Sequence, residues 1–170
     1  DPTDTNKGKA KVGIISGTSI SLGSMYEFNG GTGGYYNSLS FDHTSSGKFI
    51  VVFYNLNNSG YGTGIVGTIT GSTNLTFGSQ VQFTTRVPDE KALAFHPSTA
   101  GQFLTVYRDS VSPNSGYASV GTVSGNSVTF ATEEVFTETP YADISLSFDP
   151  NVNGMCVIAH RDLSNNYGAT

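Results

Sequence analysis

The sequence predicts an all-β domain built from three repeats of four strands each, and three observations lead to this prediction. A short block centred on a glycine recurs at a spacing of 54 residues, at Gly13, Gly67 and Gly121. Gly, Ser, Thr and Asn are abundant, and the aromatic residues are Tyr and Phe, a mixture that favours strands and tight turns. No stretch has a sustained 3.6-residue apolar period, as an amphipathic helix would. A fixed period of this size indicates stacked or radially arranged supersecondary units.

Further sets of equivalent positions in the three repeats, called columns below, keep the same order in each period. An alternating apolar segment ends in Phe-Asp or Phe-His, then a turn glycine follows, and then an apolar run ends in an aromatic or polar triplet. The alternating segments are Leu39–Asp42, Leu93–His96 and Leu146–Asp149. The triplets are Phe53–Asn55, Tyr107–Asp109 and His160–Asp162. Several independent columns in constant order argue against a chance repeat.

Each period contains four strand candidates. Strand one alternates apolar and polar residues, as in residues 144–148. Strand two follows the turn glycine and is almost continuously apolar, as in residues 49–54, which predicts burial on both faces. Strand three is represented by residues 64–69 and strand four by residues 75–83.

Glycines between strands three and four predict tight hairpins. These glycines are Gly17, Gly71 and Gly125, and the expected central pairs are Gly71-Ser72 and Gly125-Asn126. Residues 1–9 are polar and aperiodic, so we expect a tail or linker before a domain that spans residues 10–170.

Four antiparallel strands in about 54 residues describe a β-propeller blade. The period breaks inside strand three, so the C-terminus supplies strands one and two of the third unit and the N-terminus supplies strands three and four. Three blades are fewer than the four to eight of natural propellers. Three explanations remain open: two chains that close a six-bladed ring, a piece of a longer repeat protein, or a β-trefoil.

Composition excludes several classes of function. The net charge is −5 with eight Lys and Arg residues, which argues against a nucleic-acid surface. No apolar run approaches membrane-spanning length. The three histidines lie in different columns without metal-ligand spacing, and no cofactor motif is present, so we expect no metal and no cofactor. Cys156 lies in an apolar run and is expected to be a buried small hydrophobe.

The repeat resembles one found in structural and tail-fibre-like proteins of marine phages and in large secreted proteins of marine bacteria. The residues that carry the resemblance are Phe148-Asp149-Pro150 with Gly154, His160-Arg161-Asp162, Asn166 to Thr170, and Ile65 to Ile69. The chain departs from the pattern at Phe53-Tyr54-Asn55, where Arg-Asp is expected. The resemblance covers nearly all of residues 10–170 and implies a virion-surface or extracellular adhesion role. It supplies no catalytic residues.

Tyrosines in the segments between repeats are the best candidates for a ligand surface. Tyr35 and Tyr36, which follow a pair of glycines, and Tyr141 occupy comparable positions that we expect to be loops. An exposed Tyr ring can stack on a sugar while its hydroxyl forms a hydrogen bond. The alternative is that these rings pack between neighbouring units.

A repeated Arg-Asp pair ends strand two in two of the repeats, at Arg108-Asp109 and at Arg161-Asp162. Such a pair at a loop mouth would bind sugar hydroxyls or acidic sugars through forked hydrogen bonds. Because the pair recurs in register, an ion pair that tethers neighbouring units is the favoured alternative.

These observations predict a non-enzymatic recognition module of a virion fibre or extracellular appendage that contacts glycans or a host receptor. We expect it to form homo-oligomers or to pack against neighbouring structural subunits, without nucleic acid or membrane insertion. A purely structural subunit of a filament or coat is the alternative. A glycoside hydrolase fragment using Glu134 and Asp109 is weaker, because nothing in the sequence selects that pair of carboxylates.

Overall fold

The computed structural model describes residues 6–31, 33–111 and 114–164, and its regular structure is almost entirely antiparallel strands. One turn of 3₁₀ helix spans Leu56–Asn58. The strands are β1 (Lys9–Ala10), β2 (Gly13–Ser16), β3 (Ser19–Leu22), β4 (Tyr26–Glu27), β5 (Gly34–Phe41), β6 (Lys48–Asn55), β7 (Tyr61–Thr70), β8 (Asn74–Phe77), β9 (Val81–Thr84), β10 (Pro88–Phe95), β11 (Gln102–Asp109), β12 (Gly116–Ser124), β13 (Ser127–Phe130), β14 (Glu134–Thr137), β15 (Tyr141–Phe148) and β16 (Cys156–Asp162). The prediction of an all-β fold is confirmed.

Two repeats form complete sheets with the same topology. The first unit is the sheet β5-β6-β7-β8, with β9 also paired to β7, and the second unit is β10-β11-β12-β13, with β14 also paired to β12. The registers agree: Phe49 lies opposite Gly67 in the first unit, and Phe103 lies opposite Gly121 in the second. As predicted, strand two is buried on both faces, since residues 49–53 are all buried.

The fourth strand differs from the prediction of one continuous segment. In the first unit it divides into β8 and β9 around Gly78. A Cβ on Gly78 would lie 1.9 Å from the carbonyl oxygen of Asn126 in the second unit. The backbones of the two units therefore approach each other closely here, and the fourth strand is interrupted between β8 and β9.

The hairpin glycines behave as predicted, with one difference in loop length. Gly17, Gly71 and Gly125 all have positive φ, between 59° and 65°, which glycine adopts without steric cost. The loop at Gly125 has two residues, because Ser124 pairs with Ser127. The loop at Gly71 has three residues, because Thr70 pairs with Asn74.

The third repeat is divided between the ends of the chain. Strands β1 to β4 form the N-terminal half-unit, in which β1 pairs with β4 and β2 with β3. The hairpin β15-β16 forms the C-terminal half-unit. Within the described residues neither half pairs with the other, and the strands do not close into a ring. The continuation of strand three expected at residues 166–170 lies outside the described residues.

The expected tail belongs in part to the folded domain. The carbonyl of Asn6 accepts hydrogen bonds from the amides of Gly33 and Gly34, each at 3.0 Å. Gly8 donates its amide to Asn29 Oδ1 at 3.1 Å, and its carbonyl accepts from the amide of Phe28 at 3.0 Å. The domain therefore begins before residue 10, and residues 1–5 lie outside the description.

Two apolar cores hold the units face to face. The central core lies between the first and second units and includes Ile50, Val52 and Val66 on one side with Phe95 and Phe103 on the other. The N-terminal core packs Val12 and Phe28 of the N-terminal half-unit against the opposite face of the first unit, at Phe49, Val51 and Phe53 among others.

The C-terminal half-unit packs on the far face of the second unit. Phe148 lies beside His96 with ring centroids 5.3 Å apart, and Tyr141 lies beside Phe136 at 5.5 Å. The order in space is therefore N-terminal half-unit, first unit, second unit, C-terminal half-unit.

A candidate ligand cleft between the first two units

The first strand of each unit carries a β-bulge near its start. The register shifts between Tyr35 and Ser38 in β5, between Pro88 and Lys91 in β10, and between Ala142 and Ser145 in β15. A bulge redirects side chains and often lies beside a functional site. In β5 the bulge contains Tyr36, whose φ is 51°.

Three tyrosines gather around this bulge. Tyr54 lies opposite Tyr35 in the strand pairing of β5 with β6. The ring centroid of Tyr54 is 5.9 Å from that of Tyr35 and 6.3 Å from that of Tyr36, and the latter pair meets edge to face. Gly60 lies against the Tyr54 ring, since a Cβ there would be 2.6 Å from the Tyr54 hydroxyl. The aromatic cluster is therefore held by packing on one side and open on the other.

These rings form one wall of a cleft of about 330 Å³ between the first and second units. The opposite wall comes from the second unit. The lining residues of the whole cleft are Tyr35, Tyr36 and Tyr54 from the first unit and Val87, Asp89 and Ser110 from the second unit. The cleft thus combines apolar ring faces with hydroxyl groups and one carboxylate.

Lys91 joins the two walls. Its Nζ donates hydrogen bonds to the carbonyl of Tyr36 at 3.0 Å and to those of Pro88 and Asp89 at 2.8 and 2.9 Å. The same ammonium lies 5.3 Å from the centroid of the Tyr36 ring. Burial lowers the pKa of Lys91 to about 7, although the nearby Asp89 carboxylate acts in the opposite direction.

Arg108 fixes the carboxylate of Asp89. Its Nε donates to Asp89 Oδ1 at 2.9 Å, and its terminal nitrogen donates to Oδ2. Arg108 Nη1 also donates to the carbonyl of Tyr141 at 2.6 Å. The hydrogen bonds to Asp89 are the main reason why the pKa of Arg108 is raised. Arg108 therefore orients a cleft residue and tethers the second unit to the C-terminal half-unit.

A second cluster of charges lies beside the cleft, behind Val87. Arg86 donates to Glu133 Oε1 at 2.8 Å and to Asp109 Oδ2 at 3.3 Å, and its guanidinium lies 3.8 Å from the centroid of the Tyr117 ring. The Tyr107 hydroxyl donates to Glu133. Burial alone would raise the pKa of Glu133, but hydrogen bonds from Tyr107 and Arg86 lower it overall.

This cluster bears on the two carboxylates considered for hydrolysis. Asp109 is buried and accepts the amide of Val111 at 3.1 Å besides its bond from Arg86. Glu134 is exposed on β14. Asp109 is therefore committed to structural partners, which gives no support to a general acid at this position.

The sequence-predicted site residues separate into two groups. Tyr35 and Tyr36 line the cleft, although both lie in strand β5 and not in the expected loop. Tyr141 also lies in a strand, and it is fully buried, so the expectation that it presents a ring to a ligand does not fit its position. It packs between units beside Phe136 and His160, as the alternative interpretation held.

The Arg-Asp pairs also separate. Arg108 and Asp109 do not bond to each other, because Arg108 pairs with Asp89 and Asp109 with Arg86. Arg161 pairs with Asp143 at 2.9 Å, and both side chains are exposed. Asp162 accepts the amide of Ser164 at 2.8 Å, and hydrogen bonds from Ser164 lower its pKa.

Sequence reasoning missed Tyr54, Asp89 and Lys91. For Tyr54 a signal was present, because it occupies the column of Arg108 and Arg161, where the chain departs from the repeat. The departure exchanges a charged side chain for a ring that completes the aromatic wall. Asp89 and Lys91 carry no comparable signal, since their roles depend on the bulge in β10.

The described residues contain no group of three or more His, Cys, Asp or Glu side chains placed to hold a metal ion. No helix in the described part of the chain is long and apolar enough to cross a membrane. Comparison of the sequence with protein-family models and with curated proteins, and of the fold with solved structures, found no match.

Proposed function

We propose that this chain is a non-enzymatic recognition module of a virion fibre or extracellular appendage and that it binds glycans in the cleft between its first two units. The observation that carries the proposal is the open wall formed by Tyr35, Tyr36 and Tyr54. Sugar rings bind to such walls through their apolar C–H faces while tyrosine hydroxyls form hydrogen bonds. Ser110 on the opposite wall adds a hydroxyl that both donates and accepts.

The charge of the lining favours neutral sugars. Asp89 is the one acidic or basic residue among the described lining residues, and its side chain is a carboxylate. Lys91 directs its ammonium protons to three backbone carbonyls, so it has little capacity left for a ligand anion. The module therefore selects neutral over sialylated or sulfated glycans.

A glycan array probed with the whole chain tests this proposal. We expect neutral glycans to bind and Tyr36→Ala to reduce the affinity of any hit at least tenfold, because it removes an exposed ring from the wall. Asp143→Ala is the matched control: Asp143 occupies the same bulge position in the C-terminal half-unit, with a φ of 56°, but lies outside the cleft lining. Absence of any binding, or equal loss in both variants, would contradict the proposal.

A purely structural role is the second candidate, and exposed apolar residues at the two ends of the molecule favour it. Phe41 on the first unit and Val157 on the C-terminal half-unit are both exposed. A filament or coat subunit would bury such residues against its neighbours. A chain that assembles but binds no glycan on the array would favour this role.

A further inference from the structure

The two half-units expose complementary strand edges. In the complete units, strand two pairs along its length with strand three, as β6 does with β7 and β11 with β12. In the described residues, β16 corresponds to strand two and pairs only with β15, while β2 corresponds to strand three and pairs only with β3. Each half-unit therefore presents the edge that the other half-unit lacks. Unpaired edges are templates for pairing with another chain.

The repeat columns fix the register of that missing pairing. Phe49 lies opposite Gly67 and Phe103 opposite Gly121, and the same columns place Cys156 opposite Gly13. In both complete units the Phe ring lies on its glycine, since a Cβ on Gly67 or Gly121 would be 2.1 or 2.0 Å from that ring. Around Gly13 the nearest side-chain atom is Ile20 Cδ1, which is 3.1 Å from the position of a Cβ.

Exposure along equivalent columns shows a missing layer at the N-terminal end. Phe95 of the second unit is 2% exposed, because Ile50 and Val52 of the first unit pack in the same core. Phe41 holds the same column in the first unit and is 46% exposed. It lines an apolar cleft of about 180 Å³ together with Leu39, Phe49 and Val12. In the central core, Ile50 packs in the same core as Phe95. Within the described residues, no equivalent residue covers Phe41 in this cleft.

The counterpart of Ile50 is Val157 on the C-terminal half-unit. Ile50 is 0% exposed in the central core, whereas Val157, in the same column of β16, is 67% exposed. If β16 paired with the β1-β2 edge in the register above, Val157 would lie opposite Val12, as Ile50 lies opposite Val66. It would then face the cleft that contains Phe41.

The C-terminal end shows the reciprocal deficit. Val120 of the second unit is 42% exposed, whereas its column mate Val66 is 1% exposed. Val120 lines a cleft of about 240 Å³ with Leu104, Phe148 and Cys156. Ile15 and Ile20 of the N-terminal half-unit are exposed, although their column mates Val123 and Val128 are buried in the central core. The same strand pairing would place these isoleucines against this cleft.

We propose that a second copy of this chain completes the third repeat: β16 of one copy pairs with β2 of the other, with Cys156 opposite Gly13. Two such contacts join two copies head to tail and close a ring of six units, which lies within the size range of propellers. Backbone hydrogen bonds supply register, and the two apolar clefts supply burial. The interface is independent of the glycan cleft, which lies between two units of the same chain.

A cysteine cross-link tests the register directly. Under mild oxidation, Gly13→Cys is expected to form a reducible dimer through Cys156 of the other copy, because facing strand residues lie within disulfide reach. Ser16→Cys is the matched control, since it lies on the opposite face of β2 and three residues away, and it is expected to stay largely uncross-linked. Equal cross-linking of both variants, or a bond formed within one chain, would overturn the proposal.

Light scattering on a sizing column measures the assembly itself. The unmodified chain is expected at twice its monomer mass, and Val157→Asp is expected to shift it to monomer by placing a charge in the apolar cleft. Val135→Asp is the control, because Val135 is exposed and its column mate in the complete first unit, Gln82, is exposed as well. A monomeric unmodified chain, or a Val157→Asp variant that remains dimeric with unchanged circular dichroism, would refute the second-copy interface.

Discussion

Tyr36 adopts a left-handed backbone conformation that glycine prefers, and replacing it with glycine and with alanine separates this backbone strain from the contacts of the ring. Its φ of 51° falls in the first position of the β5 bulge, where glycine is common. Both substitutions remove the contacts of the ring with Tyr35, Tyr54 and Lys91. The difference between the two variants therefore reports on the backbone.

The expected magnitude follows from two opposing terms. A left-handed conformation costs a residue with a Cβ about 1–2 kcal/mol, which glycine avoids. Glycine in turn loses roughly 0.5–1 kcal/mol relative to alanine through the greater entropy of its unfolded chain. We therefore expect Tyr36→Gly to have a free energy of unfolding roughly 0.5–1 kcal/mol above that of Tyr36→Ala.

Urea denaturation followed by circular dichroism measures this difference from the midpoints and slopes. The same two substitutions at Ser40, in the paired part of β5 and without a positive φ, provide the control. There alanine is expected to be the more stable by roughly 0.5–1 kcal/mol. If alanine is also at least as stable as glycine at position 36, the bulge does not impose the strain described here.

Three further predictions concern pH, packing and the inter-unit tether. Burial lowers the pKa of Lys91 to about 7 while the unfolded chain keeps a value near 10.4, so the unfolded state binds more protons between these values and the chain with Lys91 gains stability as pH rises. The stability lost on replacing Lys91 by Met should therefore grow by roughly 2 kcal/mol from pH 7 to pH 9 in urea titrations. Gly67→Ala should lower the free energy of unfolding by about 1–3 kcal/mol, because its Cβ would lie 2.1 Å from the Phe49 ring. Arg108→Met should lower it by about 2 kcal/mol through the unpaired carboxylate of Asp89, and the double variant with Asp89→Asn should recover part of the loss.

Each of these has a result that would contradict it. A Lys91 contribution that falls as pH rises would show that the three carbonyl acceptors raise the pKa more than burial lowers it. Gly13→Ala is the control for packing, because the atom nearest to a Cβ there would be Ile20 Cδ1 at 3.1 Å and not a Phe ring. An equal loss of stability there would argue against the steric explanation. A double variant no more stable than Arg108→Met alone would mean that Asp89 is not the group left unsatisfied.

The all-β class and most strand positions were predictable because the repeat is local and periodic, whereas the predicted propeller or trefoil closure is not seen in the described residues. The constant columns located strands one to three and the hairpin glycines, since alternation and glycine punctuation act over a few residues. The break of strand four at Gly78 was not predictable, because it depends on the close approach of Asn126 from the next unit. Likewise, the burial of Tyr141 depends on which faces of neighbouring units meet.

The cleft was predictable only in part. Tyr35 and Tyr36 were identified as adjacent aromatic residues after a glycine pair, which is a property of the sequence. The contribution of Asp89 and Lys91 arises from a register shift in another unit, which pairs residues far apart in the chain. Side chains brought together by two separate bulges leave no periodic trace in either segment.

The recurring bulge gives the first strand of each unit a position at which different side chains are found. Counted from the start of the strand, the same position holds Tyr36, Glu90 and Asp143, so the bulge carries a different side chain in each unit. Tyr36 and Asp143 also share a positive φ. Substitutions there alter what the surface offers while the sheet registers stay unchanged. The chemistry at this position is thereby uncoupled from strand pairing, so duplicated units can diverge there by a single substitution.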